Sequence, residues 1–288
     1  MTSTIPLKIA ILIPARYHST RLPGKPLALI SGKTMLERVW RIAKLAQQQA
    51  SQTQPIDWYC AVVTEDQRIQ QYCSDTAINC LLTSAECQSG TERILEASQT
   101  LGQAFDLVVN LQGDNVLCPP WFITKLVERF LADTSMRILT PAVQLSWSAL
   151  DALRLAKSTT PFSGTTVVVD AHSRANWFSK LILPAMRDEA NLRVESTYSP
   201  VLRHIGLYAY HGAILSQLQT ISMSPYEAYE GLEQLRYLQA GIPIEIVAVD
   251  YRGRTGMNGV DSLPDVQRAE AILEQEGEFA IEPEKVQT

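Results

Sequence analysis

The hydrophobic pattern of the first half alternates between short apolar runs and longer segments with helical periodicity. Runs rich in β-branched residues predict buried strands, and apolar positions three or four residues apart predict amphipathic helices. The predicted strands cover residues 9–13, 58–63, 78–82 and 106–112, and the predicted helices cover residues 33–49, 66–73, 90–101 and 119–131. This alternation predicts a doubly wound, Rossmann-like parallel sheet, in which ligands lie beyond the carboxyl ends of the strands.

The pattern changes in the second half, where regular crossover helices no longer separate the strands. Strands are predicted over residues 137–144, 165–170, 205–210 and 244–249, and helices over residues 225–239 and 263–274. The polar residues 184–200 are too many for a simple connection, which indicates a functional segment or an interface arm. One α/β domain over residues 1–288 with a mixed sheet fits this pattern better than two independent domains.

Composition limits the classes of partner. The chain has 288 residues, is 46% hydrophobic and carries a formal net charge of −5. A mildly acidic protein has no general attraction to nucleic acid or to anionic membranes. Because its apolar runs are too short to span a bilayer, we expect a cytoplasmic protein without membrane insertion. The five cysteines contain no C-x-x-C pair, which predicts buried free thiols.

A basic loop follows the first predicted strand, in the sequence ILIPARYHSTRLPGKP over residues 11–26. The apolar run stops at Pro14, and Arg16, Arg21 and Lys25 follow within a dozen residues. Three neighbouring cations repel one another unless an anion joins them. Arginines suit bidentate phosphate recognition, and a lysine adds a point charge. The loop is therefore predicted to bind phosphate, and a solvated basic loop is the alternative.

Two aspartates are candidate ligands for a divalent cation. Asp114 comes just after a buried strand, and Gly113 allows its backbone to approach a ligand closely. Magnesium ligation and capping of the helix near Pro119 are equally compatible with Asp114. Asp261 follows a Gly-Val turn, and taken alone it is more typical of a cap for the helix at Leu263. Together the two carboxylates could hold magnesium.

The segment QSGTER over residues 88–93 joins a strand to a helix. Ser89 or Thr91 can cap that helix, whereas Gln88 and Arg93 favour base or ribose recognition. No G-x-x-x-x-G-K-[ST] loop is present and the first loop lacks G-x-G-x-x-G, which argues against a P-loop ATPase and a Rossmann dehydrogenase.

Polar and charged side chains of the second half have both a functional and a structural interpretation. Lys180, Arg187 and Arg203 could hold a substrate carboxylate or form surface salt bridges. His204 taken alone is more often structural than catalytic. The helix before Gly241 carries Glu230, Glu233, Gln234 and Arg236, for which a solvated face with a Glu233–Arg236 pair is the simpler interpretation.

Seven motifs together resemble the 3-deoxy-manno-octulosonate cytidylyltransferase (CMP-Kdo synthetase) family. They are RYHSTRLPGKP (16–26), QSGTER (88–93), NLQGD (110–114), WFSK (177–180), RHIGLYAY (203–210), LEQLRYLQAG (232–241) and GVDS (259–262). The resemblance implies a nucleotide-diphospho-sugar transferase fold and usually a homodimer. It also implies that CTP and the acidic sugar Kdo give CMP-Kdo and pyrophosphate with Mg²⁺, for lipopolysaccharide or surface-polysaccharide synthesis. Residues 1–133 would form a nucleotide-binding half and residues 134–288 a sugar-binding, antiparallel dimerisation half.

The resemblance also implies roles for individual residues. The catalytic residues would be Arg16, Lys25, Asp114 and Asp261, of which Asp114 and Asp261 would hold the metal. The nucleotide would contact Pro14, Ala15, Arg16, Ser19, Arg21, Lys25, Gln88, Ser89, Arg93, Gln112 and Asp114. The sugar would contact Lys180, Arg187, His204, Tyr208, Glu230 and Gln234.

The chain departs from the family pattern at several positions. The family usually has Glu-Pro where Asn115 and Val116 stand, Arg at Lys180, Lys at Thr166 and His at Cys87. These changes gather on the sugar side, while the phosphate and metal motifs are intact. They therefore leave two alternatives: a related nucleotidyltransferase with a different nucleotide or acceptor, and a divergent nucleotide-binding paralogue without turnover.

Overall fold

The computed structural model describes residues 6–51, 55–257 and 259–280. The chain forms two compact units, one comprising Met1–Glu128 with Gly253–Thr288 and the other Arg129–Arg252. The single domain predicted for residues 1–288, with its two functional halves, stays a prediction.

The first unit is built on a parallel sheet flanked by helices. Its elements are β1 (Leu7–Pro14), a short hairpin of β2 (Leu29–Ile30) and β3 (Lys33–Thr34), α1 (Met35–Ser51), β4 (Ile56–Thr64), α2 (Gln67–Asp75), β5 (Cys80–Leu82), α3 (Gly90–Thr100), β6 (Leu107–Leu111) and α4 (Pro120–Ala132), whose residues from Arg129 on belong to the second unit. The strands follow the order β5-β4-β1-β6 and all pair in parallel. Every strand and helix predicted for the first half is present, so the doubly wound sheet is confirmed.

The central strand β1 sets the edge at which the ligand-binding loops gather. Residues 9–13 of this strand are fully buried. Pro14 lies opposite Val63 of β4, and the backbone N–H of Ala15 extends the ladder to the Val63 carbonyl at 3.0 Å. Because β6 runs parallel beside β1, the loops after both strands emerge at the same edge.

The second unit is mainly antiparallel. Its elements are β7 (Ile138–Ser146), α5 (Trp147–Thr159), β8 (Thr165–Val169), β9 (Ala175–Ser179), α6 (Glu189–Glu195), β10 (Tyr198–His204), β11 (Leu207–His211), α7 (Leu215–Thr220), α8 (Pro225–Glu230), α9 (Gln234–Gln239) and β12 (Ile244–Ala248). The order β11-β7-β10-β8-β9 is antiparallel throughout, and β12 joins β7 in parallel. The mixed sheet predicted for the chain is confirmed.

One predicted helix of the second half is wrong. The helical pattern over residues 225–239 is split into α8 and α9, because Gly231 adopts a left-handed φ of 61° and ends α8. Its N–H donates to the Glu227 carbonyl at 2.7 Å, which completes a helix C-terminus that glycine favours.

Regular elements also occur where the hydrophobic pattern predicts none, among them α5, β9, α6 and α7. Helix α5 was not predicted, although Ser146 caps it and Trp147, Leu150 and Leu153 bury its apolar face. The polar stretch 184–200 contains α6 and the start of β10. Arg154 binds both Glu189 carboxylate oxygens, at 2.8 and 2.7 Å, and so ties α6 to α5.

The last helix, α10 (Leu263–Glu276), belongs to the first unit. The residues after it are held there, because Phe279 packs on Trp121 at 5.7 Å between ring centroids and Glu278 pairs with Arg38 at 2.8 Å. Within the described parts of the chain, no helix combines the length and the apolar character needed to cross a membrane.

Candidate active site

A cavity of about 390 Å³ opens in the first unit at the carboxyl ends of β1 and β6. It is lined by Pro14, Ala15, Arg16, His18, Ser19, Thr20, Arg21, Lys25, Pro26, Gly90, Gln112, Gly113, Asp114 and Asp261. Nine of these side chains are among the site residues predicted from the sequence, so the structure brings together the basic loop, the NLQGD turn and the GVDS turn.

Lys25 is the centre of this cavity. Its ammonium lies 2.6 Å from Asp114 Oδ2 and 2.7 Å from Asp261 Oδ1, so one cation is shared by two carboxylates. Arg21 reaches the other oxygen of Asp261 at 3.0 Å. Burial alone would lower the pKa of Lys25, but the charges and hydrogen bonds of the two aspartates outweigh burial and raise that pKa. The lysine is therefore protonated and holds the acidic pair together.

Two glycines allow the acidic turns to pack this closely. A Cβ at Gly113 would lie 2.7 Å from the Pro14 carbonyl oxygen, and a Cβ at Gly259 would lie 2.8 Å from Asp114 Cγ. The Val260 N–H also donates to the Asp114 carbonyl at 3.0 Å. The two aspartates are therefore fixed relative to each other through their own backbone.

The capping alternatives considered for the two aspartates do not describe their side chains. Ser262, not Asp261, is the N-cap residue of α10. Asp265 accepts hydrogen bonds from the Asp261 N–H at 3.1 Å and from the Ser262 hydroxyl at 2.6 Å, which leaves the Asp261 carboxylate for Lys25 and Arg21. Asp114 likewise directs its carboxylate to Lys25.

The donor set of the cavity suits a hard divalent cation. Two carboxylates converge on the lysine ammonium, which is itself a cation held in common. Mg²⁺ binds proteins through one or two carboxylates and takes its other ligands from water and substrate phosphates. Among the described residues, no group of three or more His, Cys, Asp or Glu side chains could hold a metal alone. A cation here would therefore take its remaining ligands from water or from substrate phosphates.

The QSGTER segment reaches the cavity through its backbone rather than through its arginine, Arg93. Ser89 caps α3 by accepting from the Glu92 N–H at 3.1 Å, and the exposed Gln88 offers its carbonyl to Arg16 at 3.3 Å. A Cβ at Gly90 would lie 3.1 Å from the Gln112 amide. These contacts place the start of α3 beside the cavity.

Arg93 is not among the cavity-lining residues. It is buried, with 1% exposure, and its guanidinium lies 2.8 Å from Glu65. It also donates to Thr83 Oγ1 at 2.5 Å. These contacts tie α3 to the chain segments that follow β4 and β5.

Five cavity residues are not among the predicted site residues: His18, Thr20, Pro26, Gly90 and Gly113. His18 and Thr20 are exposed within the basic loop. The signal that could have found them is their position, because a loop that wraps an anion presents its uncharged side chains to it as well.

The six predicted sugar-side residues all lie in the second unit. Glu230 accepts from the Ser179 hydroxyl at 2.8 Å and from the Lys180 N–H at 2.7 Å, and the His204 and Tyr208 rings are 5.4 Å apart. Gln234 is buried on α9, and its amide nitrogen has no hydrogen-bond partner among the described residues. Arg187 is exposed between β9 and α6.

The family departures at Lys180 and Thr166 have defined surroundings in this unit. Thr166 donates to the Leu181 carbonyl at 2.7 Å and accepts from the Leu183 N–H at 3.1 Å. The Lys180 ammonium lies 3.3 Å from Thr165 Oγ1, and burial lowers its pKa. Thr166 therefore shapes the backbone of the segment that follows Lys180.

His204 makes a buried side-chain hydrogen bond in the second unit. Its Nε2 lies 2.9 Å from Thr140 Oγ1, and the Thr140 hydroxyl is 2.7 Å from the Leu207 carbonyl and 3.3 Å from that of Ile205. Since the single hydroxyl proton goes to a carbonyl, His204 Nε2 carries a proton and donates to Thr140. Burial lowers the pKa of His204 to about 3, so the ring is neutral near pH 7.

This neutral histidine predicts a pH-dependent stability. Unfolding returns His204 to its ordinary pKa of 6.5, so between pH 6.5 and about 3 the unfolded chain binds one more proton than the native chain. The free energy of unfolding should therefore fall with decreasing pH, by about 1.4 kcal/mol per pH unit from this group. Denaturant unfolding from pH 7 to 4.5 measures the slope, and His204→Gln should flatten it. An unchanged slope in the variant would contradict the assignment.

The parallel sheet, with a basic loop and paired carboxylates at its strand ends, has the nucleotide-sugar transferase fold of its solved structural neighbours. The family profile described as Cytidylyltransferase matches residues 10–246. A solved CMP:2-keto-3-deoxy-manno-octonic acid synthetase complexed with CTP superposes with a TM-score of 0.77 at 30% identity, covering 93% of this chain and 99% of that chain.

Two sequence relatives make the assignment more specific. The 3-deoxy-manno-octulosonate cytidylyltransferase of Maricaulis maris is 41% identical over 95% of this chain and all of its own length. The enzyme of that name from Cellvibrio japonicus is 35% identical over 92% of this chain and 97% of its own. The chain belongs to the 3-deoxy-manno-octulosonate cytidylyltransferase family. The family, the fold class and the enzyme class predicted from the motifs are confirmed.

Proposed function

We propose that this protein transfers CMP from CTP to the anomeric hydroxyl of Kdo or a related 2-keto-3-deoxy sugar acid and releases pyrophosphate. The observation that carries the proposal is the shared cation site, in which Lys25 joins Asp114 and Asp261 inside a cavity lined by two arginines. The names of the relatives and the CTP bound to the structural neighbour support the choice of nucleotide and sugar.

The basic loop is proposed to hold the triphosphate. Arg16 and Arg21 are exposed and Ser19 is half-buried, so their donors are available to phosphate oxygens. In the reaction the sugar hydroxyl oxygen bonds to the α-phosphorus, the bond from that phosphorus to the pyrophosphate oxygen breaks, and the hydroxyl proton passes to solvent. Such a transfer needs mainly positioning and neutralisation of charge, which this cation-rich cavity offers.

Asp114 and Asp261 are proposed to hold Mg²⁺ together with substrate phosphates. When bound, the ion supplies charge neutralisation for the triphosphate. The carboxylates already hold a cation in common, and their turns are fixed by glycine contacts, so little reorganisation would be needed to retain another. Lys25, released from the acidic pair, would then be free to neutralise phosphate charge.

Lys180, Arg187, His204, Tyr208, Glu230 and Gln234 are proposed as sugar contacts. The buried, unpartnered amide of Gln234 supports this, because a buried donor without a partner is costly and a ligand hydroxyl or carboxylate would satisfy it. Because His204 is neutral, it would contact the sugar through a hydrogen bond rather than through a charge–charge interaction.

A homodimer and a cytoplasmic location are also proposed from the resemblance. The second unit exposes large apolar side chains, including Leu155 at 75%, Phe162 at 76% and Leu181 at 70%, which supports an association surface.

Pyrophosphate release with CTP and Mg²⁺ across a panel of 2-keto-3-deoxy sugar acids tests the proposed reaction. We expect turnover with at least one acceptor, and none with CTP alone.

Thermal shifts with CTP, UTP, ATP and GTP test which nucleotide the protein prefers, since preferential binding stabilises the fold. Turnover with another nucleotide would favour the related-transferase alternative. CTP binding without product from any sugar acid would favour the non-catalytic one.

A further inference from the structure

Tyr17 lies inside the basic loop, between Arg16 and the hydroxyl residue Ser19, yet it does not line the cavity. Its ring is covered by Arg68, whose guanidinium carbon lies 3.4 Å from the ring centroid. Arg68 stands at the start of α2 and likewise lies outside the cavity lining. A guanidinium at this distance from a ring face is a cation–π contact.

Tyr17 is also the point where the loop closes on itself. The Gly24 N–H donates to the Tyr17 carbonyl at 3.2 Å, and a Cβ at Gly24 would lie 3.1 Å from the Tyr17 hydroxyl oxygen. Gly24 is buried and has a left-handed φ of 67°, and the short 3₁₀ helix Lys25–Leu27 begins directly after it. The position of the Tyr17 ring therefore bears on the residue that precedes Lys25.

Arg68 is itself held rigidly. Its Nε and Nη2 donate to the two carboxylate oxygens of Asp66, at 3.0 and 2.6 Å. Asp66 is buried and caps α2 by accepting from the Arg68 N–H at 2.9 Å. This arginine lowers the pKa of Asp66, so the carboxylate stays charged. The guanidinium plane is thus fixed by a helix N-terminus that belongs to the sheet framework.

We infer that Asp66, Arg68 and Tyr17 form a positioning stack that holds the basic loop in its phosphate-binding conformation. The inference rests on the proposed function, because it concerns the same loop and the same nucleotide. The stack fixes Tyr17 from one side, and the Tyr17–Gly24 contact passes that constraint to Lys25. A loop that is already ordered loses less conformational entropy when it binds the triphosphate.

The simplest alternative is that Arg68 forms an ordinary surface ion pair. Its side chain is 53% exposed, and exposed pairs contribute little to stability. On that view, removing Arg68 would change neither stability nor nucleotide affinity by much. A positioning stack predicts a different outcome: a small change in melting temperature with a clear loss of CTP affinity.

Calorimetric titration of the protein with CTP, in the presence of Mg²⁺, distinguishes the positioning stack from the surface ion pair. We expect Arg68→Leu and Tyr17→Leu each to weaken CTP binding about 10-fold, while Tyr17→Phe keeps the ring and stays within about 2-fold of the unchanged protein. Arg68→Lys should recover little, because a lysine lacks the planar guanidinium that stacks and binds Asp66 bidentately. Arg41→Leu, an exposed arginine of α1, is the matched control and should bind CTP normally.

The double variant tests whether Tyr17 and Arg68 affect CTP affinity together or independently. If the two residues act as one stack, Tyr17→Leu with Arg68→Leu binds CTP about as weakly as either single variant. Wild-type affinity in Arg68→Leu, or additive losses in the double variant, would overturn the inference. Failure of the unchanged protein to bind CTP would overturn the proposed function instead, so the two failures are distinguishable.

Discussion

Replacing Asp114 or Asp261 by asparagine is expected to reduce CMP transfer by roughly 10²–10³-fold, with the fold intact. Each change removes one of the two negative charges that share the Lys25 ammonium and that are proposed to hold Mg²⁺. Asparagine keeps the size and the hydrogen-bonding oxygen, so the Gly259 contact with Asp114 is preserved and the loss is one of charge. Initial rates of pyrophosphate release at saturating CTP measure it.

The double variant gives a sharper test of the pair. Groups that act as a unit show strongly non-additive losses. We therefore expect Asp114→Asn with Asp261→Asn to be little slower than either single variant. Magnesium titration should show a raised half-saturating concentration in each single variant. Asp57→Asn, which alters an exposed carboxylate of β4 in the same unit, is the matched control and should retain full activity. Near-normal rates in both single variants would refute the metal assignment.

The sheet and the identity of the loops could be predicted because both depend on local sequence. The apolar run before Pro14 and the alternation that follows it determine β1 and its neighbours. Because β1 and β6 pair in parallel, the loops that follow them lie at the same edge of the sheet. The meeting of Asp114 with Asp261 has no such local signal, because the two residues are 147 positions apart in the sequence. Only the resemblance to a family linked them beforehand.

The wrong helix over residues 225–239 has a local physical cause as well. The apolar spacing over residues 225–239 continues across Gly231, so periodicity alone predicts one helix, and the left-handed glycine ends it. The partner of Arg93 could not be predicted for a different reason. An arginine beside a strand end suits either a ligand or a carboxylate, and here Glu65 is the partner. The stacking of Arg68 on Tyr17 joins the start of α2 to the basic loop, and no local pattern in the sequence predicts it.

Replacing Lys25 by methionine is expected to lower transfer by roughly 10²–10³-fold and, separately, to make the free protein respond to Mg²⁺. The Lys25 side chain is 15% exposed, and its ammonium neutralises the carboxylates of Asp114 and Asp261, whose side chains are 28% and 40% exposed. Without it the like charges repel, which should reduce the free energy of unfolding by about 1–3 kcal/mol. The same change removes the cation that competes with Mg²⁺ for the aspartates, so the affinity for the ion should rise.

Thermal unfolding in EDTA and in Mg²⁺, without nucleotide, separates these effects. In EDTA, Lys25→Met should melt below the unchanged protein. Added Mg²⁺ should raise the melting temperature of Lys25→Met more than that of the unchanged protein, because an ion that binds only the folded state stabilises it in proportion to its affinity. Lys125→Met is the matched control, since it removes a lysine–carboxylate pair of similar length, 2.7 Å, whose partners are both 48% exposed. Lys125→Met should show neither effect.

Equal responses of Lys25→Met and the unchanged protein to Mg²⁺ would mean that the lysine and the ion do not share Asp114 and Asp261. The transfer defect of Lys25→Met would then have to arise from phosphate contacts alone.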